Sequence, residues 1–340
     1  MKKVVTFGEI MLKLSAKGYQ RLLQAKEMNV EYAGAEANVA VSLANFGVPV
    51  SFVSRVPEND FGRAACMALR TFGVETDFML RGGNRMGIYF AEKGASQRPS
   101  KVVYDRKYSA ISEASSEDFV WEEIFKDAQW FHFTGITPAL SRNLADICLK
   151  ACQQAKKMGL TVSCDLNYRS KLWTKEEAKE TMSRLAEYID VCIANESDIA
   201  DVFGIEAKDS DVEKGQLQRA SYEIVAEQLL RKFGFQKVAI TLRESITAND
   251  NNWSAMLFDG SKAFHSRKYA VRIVDRIGSG DAFAAGLIYG LLNGYDSQKT
   301  VDFAAAASCL KHSIEGDFNL VSVAEVESLM NNNYTGRIQR

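Results

Sequence analysis

The sequence predicts an α/β protein built on a mostly parallel sheet covered on both faces, with a small second β-sheet projecting from it. Two observations carry this reading. Short β-rich runs alternate with segments of helical 3–4 periodicity, and two hairpin-like stretches interrupt that rhythm. The runs "KVVTFGEI" (3–10), "VSFVSRV" (50–56), "WFHFTG" (130–135), "TVSCDLN" (161–167), "VCIAN" (191–195) and "KVAITL" (237–242) read as strands. Most are apolar along their length instead of at alternate positions, as in strands buried on both faces. Segments such as 35–47 and 142–159 carry helical spacing between them, and Gly47, Gly73 and Gly159 fall where helices should end. Sheets of this kind bind ligands beyond the C-terminal ends of their strands.

Residues 11–33 and 84–108 break the pattern and mix exposed apolar with polar positions, as β-hairpins do. They are either ordinary surface hairpins or a lid that keeps water from a reacting group. The polar stretch 206–221 reads as a solvated loop and the tail 331–340 as a frayed end.

At 340 residues and 46% hydrophobic, the chain can bury a large core, as one big domain with an appendage or as two domains. A net charge of −1 argues against nucleic acid and anionic membranes as partners. Glu9 and Lys13 interrupt the opening where a secretion signal would need an apolar run, and no stretch of about 18 apolar residues suggests a membrane span. The six cysteines form no Cys-x-x-Cys pair and read as buried thiols of a cytoplasmic protein. The three histidines lack ligand spacing, which disfavours a zinc site or a His-based triad.

Chemistry concentrates at "DRIGSGDAF" (275–283), a glycine-rich turn opening into an apolar helical stretch. Free amides at a helix start make an anion site, and glycines at 278 and 280 would permit positive φ and close approach. Asp281 would sit in the first turn, where the helix dipole favours its ionised form. Taken alone, the turn is equally well an ordinary capped loop. No Gly-x-x-x-x-Gly-Lys-Ser/Thr occurs, and as a dinucleotide fingerprint the turn fails at Phe283 and lies too late in the chain.

"DRIGSGDAFAAG" resembles the C-terminal signature of the ribokinase-like (PfkB-type) carbohydrate kinases, Asp-Thr-x-Gly-Ala-Gly-Asp-x-Phe, with Arg276 for Thr and Ser279 for Ala. "AGAEANVAVSLANFG" (33–47) resembles the family's Gly-Gly-x-x-x-Asn-x-Ala, with Ala33 for the first glycine. "NESD" (195–198) resembles Asn-x-x-Glu, with Asp198 for Glu, while the family's Thr-Leu-Gly strand end appears as "TLRES" (241–245), with Arg243 for Gly. The resemblance covers essentially the whole chain. It implies one ribokinase-like domain, 1–340: a three-layer α/β/α core with a lid from about 11–33 and 84–108.

It also implies ATP and Mg2+ as cofactors, with a monovalent cation as a further candidate. Gly278, Ser279, Gly280 and Asp281 would form the anion hole, with Asp281 as base. Asn167, Asn195, Thr241 and Arg243 would lie on the nucleotide side with Gly278 and Gly280, and Asn195 and Asp198 would hold magnesium through water. "GIYF" (87–90), "VVYDRKYSA" (102–110), "DLNYRSKLW" (165–173) and "KHSIEGDFNLVS" (311–322) are most similar to the family's 2-keto-3-deoxygluconate kinases. That similarity implies a sugar acid held by Gly34, Tyr89, Tyr104, Arg106 and Arg169 and phosphorylated at its terminal 6-hydroxyl. Arginine suits a carboxylate because its planar fork binds both oxygens. A neutral-sugar (fructokinase-like) kinase is the alternative, and a catalytically silent sensor of sugar or nucleotide a more distant one. An alanine wall at 304–307 faces adenine or is plain helix core. Pairing of lid sheets would make a homo-oligomer.

Overall fold

Val4 and Val5 point to opposite faces of one strand and neither is exposed, so this strand is covered on both sides. The computed structural model describes residues 3–195, 197–207 and 219–332. Most of the polar stretch 206–221 and the tail from 333 lie outside the described residues. The strands are β1 (Lys3–Phe7), β2 (Met11–Ala16), β3 (Met28–Ala33), β4 (Val50–Val56), β5 (Met79–Arg81), β6 (Ile88–Glu92), β7 (Lys101–Asp105), β8 (Ala128–Thr134), β9 (Thr161–Asp165), β10 (Val191–Ala194), β11 (Lys237–Ser245), β12 (Asp250–Phe258), β13 (Ala263–His265) and β14 (Tyr269–Arg272).

The large sheet runs β13-β12-β11-β10-β9-β8-β1-β4-β5, with β14 also paired to β12. From β11 to β5 every neighbouring pair is parallel, and only the β12 connections are antiparallel. One face packs against the helices Ala35–Asn45, Asp60–Thr71, Ser279–Leu292, Ser297–Lys311 and Val323–Met330. The other packs against Arg142–Lys157, Lys175–Ala186 and Arg219–Phe233. This is the expected three-layer core. Ser141, Thr174, Asp296 and Ser322 each cap a helix through the side chain, supplying an acceptor that the first-turn amides otherwise lack. Gly47, Gly73 and Gly159 follow their helices with positive φ, as the sequence suggested. No cysteine is bridged, and five of the six are buried.

The alanines at 304–307 are fully buried in the Ser297–Lys311 helix, which packs against the Ser279–Leu292 helix with Ala304 beside Gly286. They build helix–helix contact and do not line the cavity described below. The adenine-wall reading is therefore corrected, because small residues there let two helix backbones approach.

Both predicted hairpins form. β2–β3 and β6–β7 are antiparallel, and a parallel β2–β6 contact joins them into one sheet, β3-β2-β6-β7. At its far end Ser96 accepts from the Ala248 amide at 2.7 Å and donates to Asn249 Oδ1 at 2.7 Å, tying this sheet to the β11–β12 turn.

Candidate active site

A cavity of about 360 Å³ opens where the small sheet overhangs the loops leaving β9, β10 and the glycine-rich turn. It is lined by Gly34, Tyr89, Tyr104, Arg106, Asn167, Arg169, Asn195, Asp198, Thr241, Arg243, Gly278, Ser279, Gly280 and Asp281, which are the residues the family motifs singled out, the alanines at 304–307 excepted. Residues far apart in the chain converge because each lies just beyond a strand, in the second half of β11, in the glycine-rich turn or on the overhanging sheet.

At its centre Asn38 Nδ2 donates to Asp281 Oδ2 at 2.7 Å, while Asn38 Oδ1 accepts from the Gly34 amide at 3.4 Å. One buried asparagine thus ties the two glycine-rich motifs together. Burial pushes the Asp281 carboxyl up to about 7, the charges of Asp317 and Glu36 add to that, and Asn38 and Arg169 oppose it. The expectation that the helix start would favour the ionised form is corrected: loss of water outweighs the dipole.

The turn is a left-handed cap. Gly278 has φ 86°, and a Cβ there would lie 2.0 Å from the Asp317 carbonyl oxygen. Gly280 differs: its φ is not positive, and a Cβ on it would meet nothing within 4 Å. The positive-φ expectation holds for Gly278 and fails for Gly280, which the protein's own packing does not require to be glycine. Ser279 Oγ donates to the Arg276 carbonyl at 2.9 Å, so the turn is braced from within.

Asn195 Oδ1 accepts from the amides of Ser197 and Asp198 at 2.8 and 3.0 Å and from Ser197 Oγ at 3.0 Å. Asp198 Oδ2 accepts from the Asn195 amide at 3.1 Å, and its Oδ1 from the Tyr168 amide at 3.2 Å. Burial raises both Asp198 and Asp165, the latter well above the usual carboxylate range and further still beside the charges of Asp198 and Asp281. Asn167, at φ 39°, donates its amide to Asp165 Oδ1 at 3.2 Å. Arg169 Nη1 donates to the Tyr168 carbonyl at 2.9 Å, and no carboxylate among the described residues pairs with it.

The overhanging sheet brings a different arrangement. Arg106 donates to Glu9 Oε2 through both Nε, at 2.8 Å, and Nη2, and its guanidinium lies 5.3 Å from the Tyr104 ring centre. Glu9 Oε1 is buried without a hydrogen-bond partner. Tyr89 donates its hydroxyl to Asp317 Oδ2, and the buried Lys13 ammonium holds Asp317 Oδ1 at 2.6 Å and Glu31 at 2.9 Å. Glu9, Asn38, Asp165, Asp317 and Arg276 belong to the site but escaped the sequence reading. Asn38, Asp165, Asp317 and Arg276 were findable, since each lies in a stretch quoted for the family resemblance, whereas Glu9 lies in none.

Residues 1–319 match the sequence profile of the pfkB family carbohydrate kinases. The chain belongs to that family. A 2-dehydro-3-deoxygalactonokinase of Haloferax volcanii is 33% identical over 328 residues, 96% of either chain. A 2-dehydro-3-deoxygluconokinase of Bacillus subtilis is 29% identical, over 93% of this chain and 91% of its own. The crystal structure of a 2-dehydro-3-deoxygluconokinase from Thermotoga maritima is 55% identical, with a TM-score of 0.94 over 97% of this chain and all of that one. As a pfkB carbohydrate kinase, the molecule has the ribokinase-like fold that its sequence implied. No described helix is long and apolar enough to cross a membrane.

Proposed function

We propose that this carbohydrate kinase transfers the γ-phosphoryl group of ATP to the terminal 6-hydroxyl of 2-keto-3-deoxygluconate (2-dehydro-3-deoxygluconate). Arg169 is the observation that carries the choice of a sugar acid. Its guanidinium enters the same cavity as Asp281 without an ion pair among the described residues, so a substrate carboxylate can take that place. The names of the relatives support the same substrate class.

In this reading Asp281 takes the proton of the attacking hydroxyl. Its carboxyl, set near 7, is strong enough to accept that proton and is substantially ionised at neutral pH. Asn38 fixes the carboxylate's direction. The amides of Gly280 and Asp281, in the first helical turn and without intrahelical acceptors, face the transferred group, and the open space at Gly280 is where its oxygens fit. Tyr89, Tyr104 and Arg106 close over the sugar from the lid and exclude water. Thr241, Asn167 and Arg243 lie on the nucleotide side.

Asn195 and Asp198 suit magnesium through water. Their oxygens are held by backbone amides, yet each Asp198 oxygen keeps a lone pair for a metal-bound water. Magnesium, when bound, neutralises phosphate charge. The whole chain acts as one kinase domain with residues 11–33 and 84–108 as its lid.

A neutral ketose is the second reading, favoured by the Glu9–Arg106 pair, which has already neutralised one of the two guanidiniums. A coupled ADP-release assay across sugar acids and neutral sugars decides between them. Turnover of 2-keto-3-deoxygluconate well above that of fructose and ribose is expected, and the reverse order would sink the acid assignment.

A further inference from the structure

Lys311 ends the Ser297–Lys311 helix and is completely buried, although a lysine is almost never fully buried unless it is paired. Among the described residues no carboxylate lies within ion-pairing distance of its ammonium, which donates to the Ile314 carbonyl at 3.2 Å. The charge therefore sits inside the loop that leaves its own helix. That loop is laced to the chain entering the glycine-rich turn. The His312 carbonyl accepts from the amides of Val274 and Asp275 at 2.8 and 3.2 Å, and the Gly316 amide donates to Asp275 Oδ2 at 3.3 Å. The Asp317 carbonyl then packs against Gly278, where a Cβ would come within 2.0 Å. Lys311 is thus enclosed by the support beneath the turn.

Asp275 and Asp317, both buried, flank that turn, and their field opposes any anion that approaches it. Lys13 and Lys93 offset them: Lys13 lies 2.6 Å from Asp317 and 4.0 Å from Asp275, and Lys93 lies 3.9 Å from Asp275. Both belong to the overhanging sheet, Lys13 on β2 and Lys93 directly after β6. Lys311 alone of the three belongs to the core, so its charge is independent of where the lid lies. Burial and the charge of Lys13 lower its proton affinity, and the charges of Asp275, Asp317 and Asp281 oppose that loss. A monovalent cation, the further candidate implied by the family resemblance, would find the oxygens beside the turn already taken. Asp275 accepts from the Ile277 and Gly316 amides, Asp317 from Lys13 and Tyr89, and Ile314 from Lys311. The residues present do not fit an exchangeable ion there.

We propose that the buried Lys311 ammonium is a permanent counter-ion of the glycine-rich turn, standing in for a bound monovalent cation, so that turnover needs no added potassium. Ammonium and potassium are alike in charge and close in size, and a tethered ammonium avoids the entropy lost in capturing a free ion. Lys311 is a positioning residue: it does not line the cavity, and acts through the loop 312–317 and the field at the turn. This deepens the kinase reading and rests on it for the anion that the turn receives.

The test compares potassium chloride with tetramethylammonium chloride at equal ionic strength, on the full chain, by steady-state kinetics and melting temperature. The wild type should behave alike in the two salts, within about twofold in kcat. Lys311→Ala leaves an empty seat. In tetramethylammonium its kcat should fall by roughly 10- to 150-fold, the range of one charge-assisted contact, with KM for the sugar within about twofold. Potassium or ammonium chloride should recover most of that loss and raise the variant's melting temperature, but not that of the wild type. Lys311→Met fills the seat with an apolar chain, so it should lose turnover equally and gain nothing from either ion. A wild type activated several-fold by potassium overturns the proposal, and that arm stands even if neither variant folds. So does a folded variant with wild-type turnover in tetramethylammonium, or an Ala variant that potassium leaves unimproved. If the wild type turns over no sugar with ATP, the kinase reading falls, while the melting temperatures of the Ala variant in the two salts still judge the counter-ion.

Discussion

Arg106 and Arg169 reach one cavity from two regions, and the two regions treat charge in opposite ways. On the lid side Arg106 is held by Glu9, Tyr89 by Asp317, and Lys13 by Asp317 and Glu31. On the side of the strand-end loops Arg169 and Arg276 reach the cavity without an ion pair among the described residues. A paired charge in a dry site sets shape and resists motion. One without a close partner, such as Arg169 near but not bonded to Asp165, Asp198 and Asp281, is left with donors that a ligand of opposite sign can take. In the proposed reading, discrimination for charge would belong to the loops, while the overhanging sheet would supply form.

The largest effect lies where the two sides meet. Asp281→Asn should cut turnover by roughly 10²–10⁴-fold while the sugar's KM changes little. The same variant should melt higher than wild type at pH 8. The sign follows from a carboxyl raised from 3.8 to about 7 in the folded state. Below 3.8 neither state is charged; between 3.8 and about 7 only the unfolded state ionises, so stability falls across that window, and above about 7 both states are ionised and the full penalty remains. The gain is on the order of a few kcal/mol. By the same shift, kcat/KM of the wild type should climb between pH 6 and 8, with its midpoint at about 7 and its plateau above that range. A flat profile, or an Asn variant near wild-type turnover, would return Asp281 to a capping role.

Arg169→Ala comes next. It should lower kcat/KM for the sugar acid by roughly 10- to 150-fold and for neutral sugars far less. Equal losses would show that both sides of the cavity handle charge alike. Glu9→Gln sharpens the contrast from the lid. Breaking a buried pair leaves Arg106 uncompensated and should cost roughly 3–5 kcal/mol of stability. A saturating sugar acid should then raise the melting temperature of the variant more than that of the wild type, because its carboxylate replaces the missing one. The smallest signal is amide exchange in 11–33 and 84–108, which should slow when sugar alone is added. Exchange unaltered by sugar would leave these segments as passive surface.

Local signals in the sequence were enough for the framework. β4 runs from Val50 to Val56 as its apolar run predicted, and both hairpins pair as their mixed polarity implied. The called side chains reach one cavity because motif spacing and strand ends are local features. What stayed hidden depends on partners distant in the chain. Nothing near Arg106 announces Glu9, 97 residues away, and nothing near Asp281 shows how thoroughly water is excluded. Gly280 failed for a related reason: a glycine in a motif does not say whether backbone twist or empty space requires it. The alanines at 304–307 were ambiguous because small residues serve helix packing and ligand walls equally well.

The parallel contact between β2 and β6 has a consequence for how the molecule assembles. Residues 12–15 pair with 88–91, and between them the chain must lay down β3, β4, β5 and two helices. Neither hairpin alone has the three strands usually needed for independent stability. The small sheet should therefore close only after that part of the core has brought its halves within reach, which makes it a late, high-contact-order step. A nascent chain released before residue 92 would carry the first hairpin without its partner strand, leaving β2 an open edge for other chains to pair with.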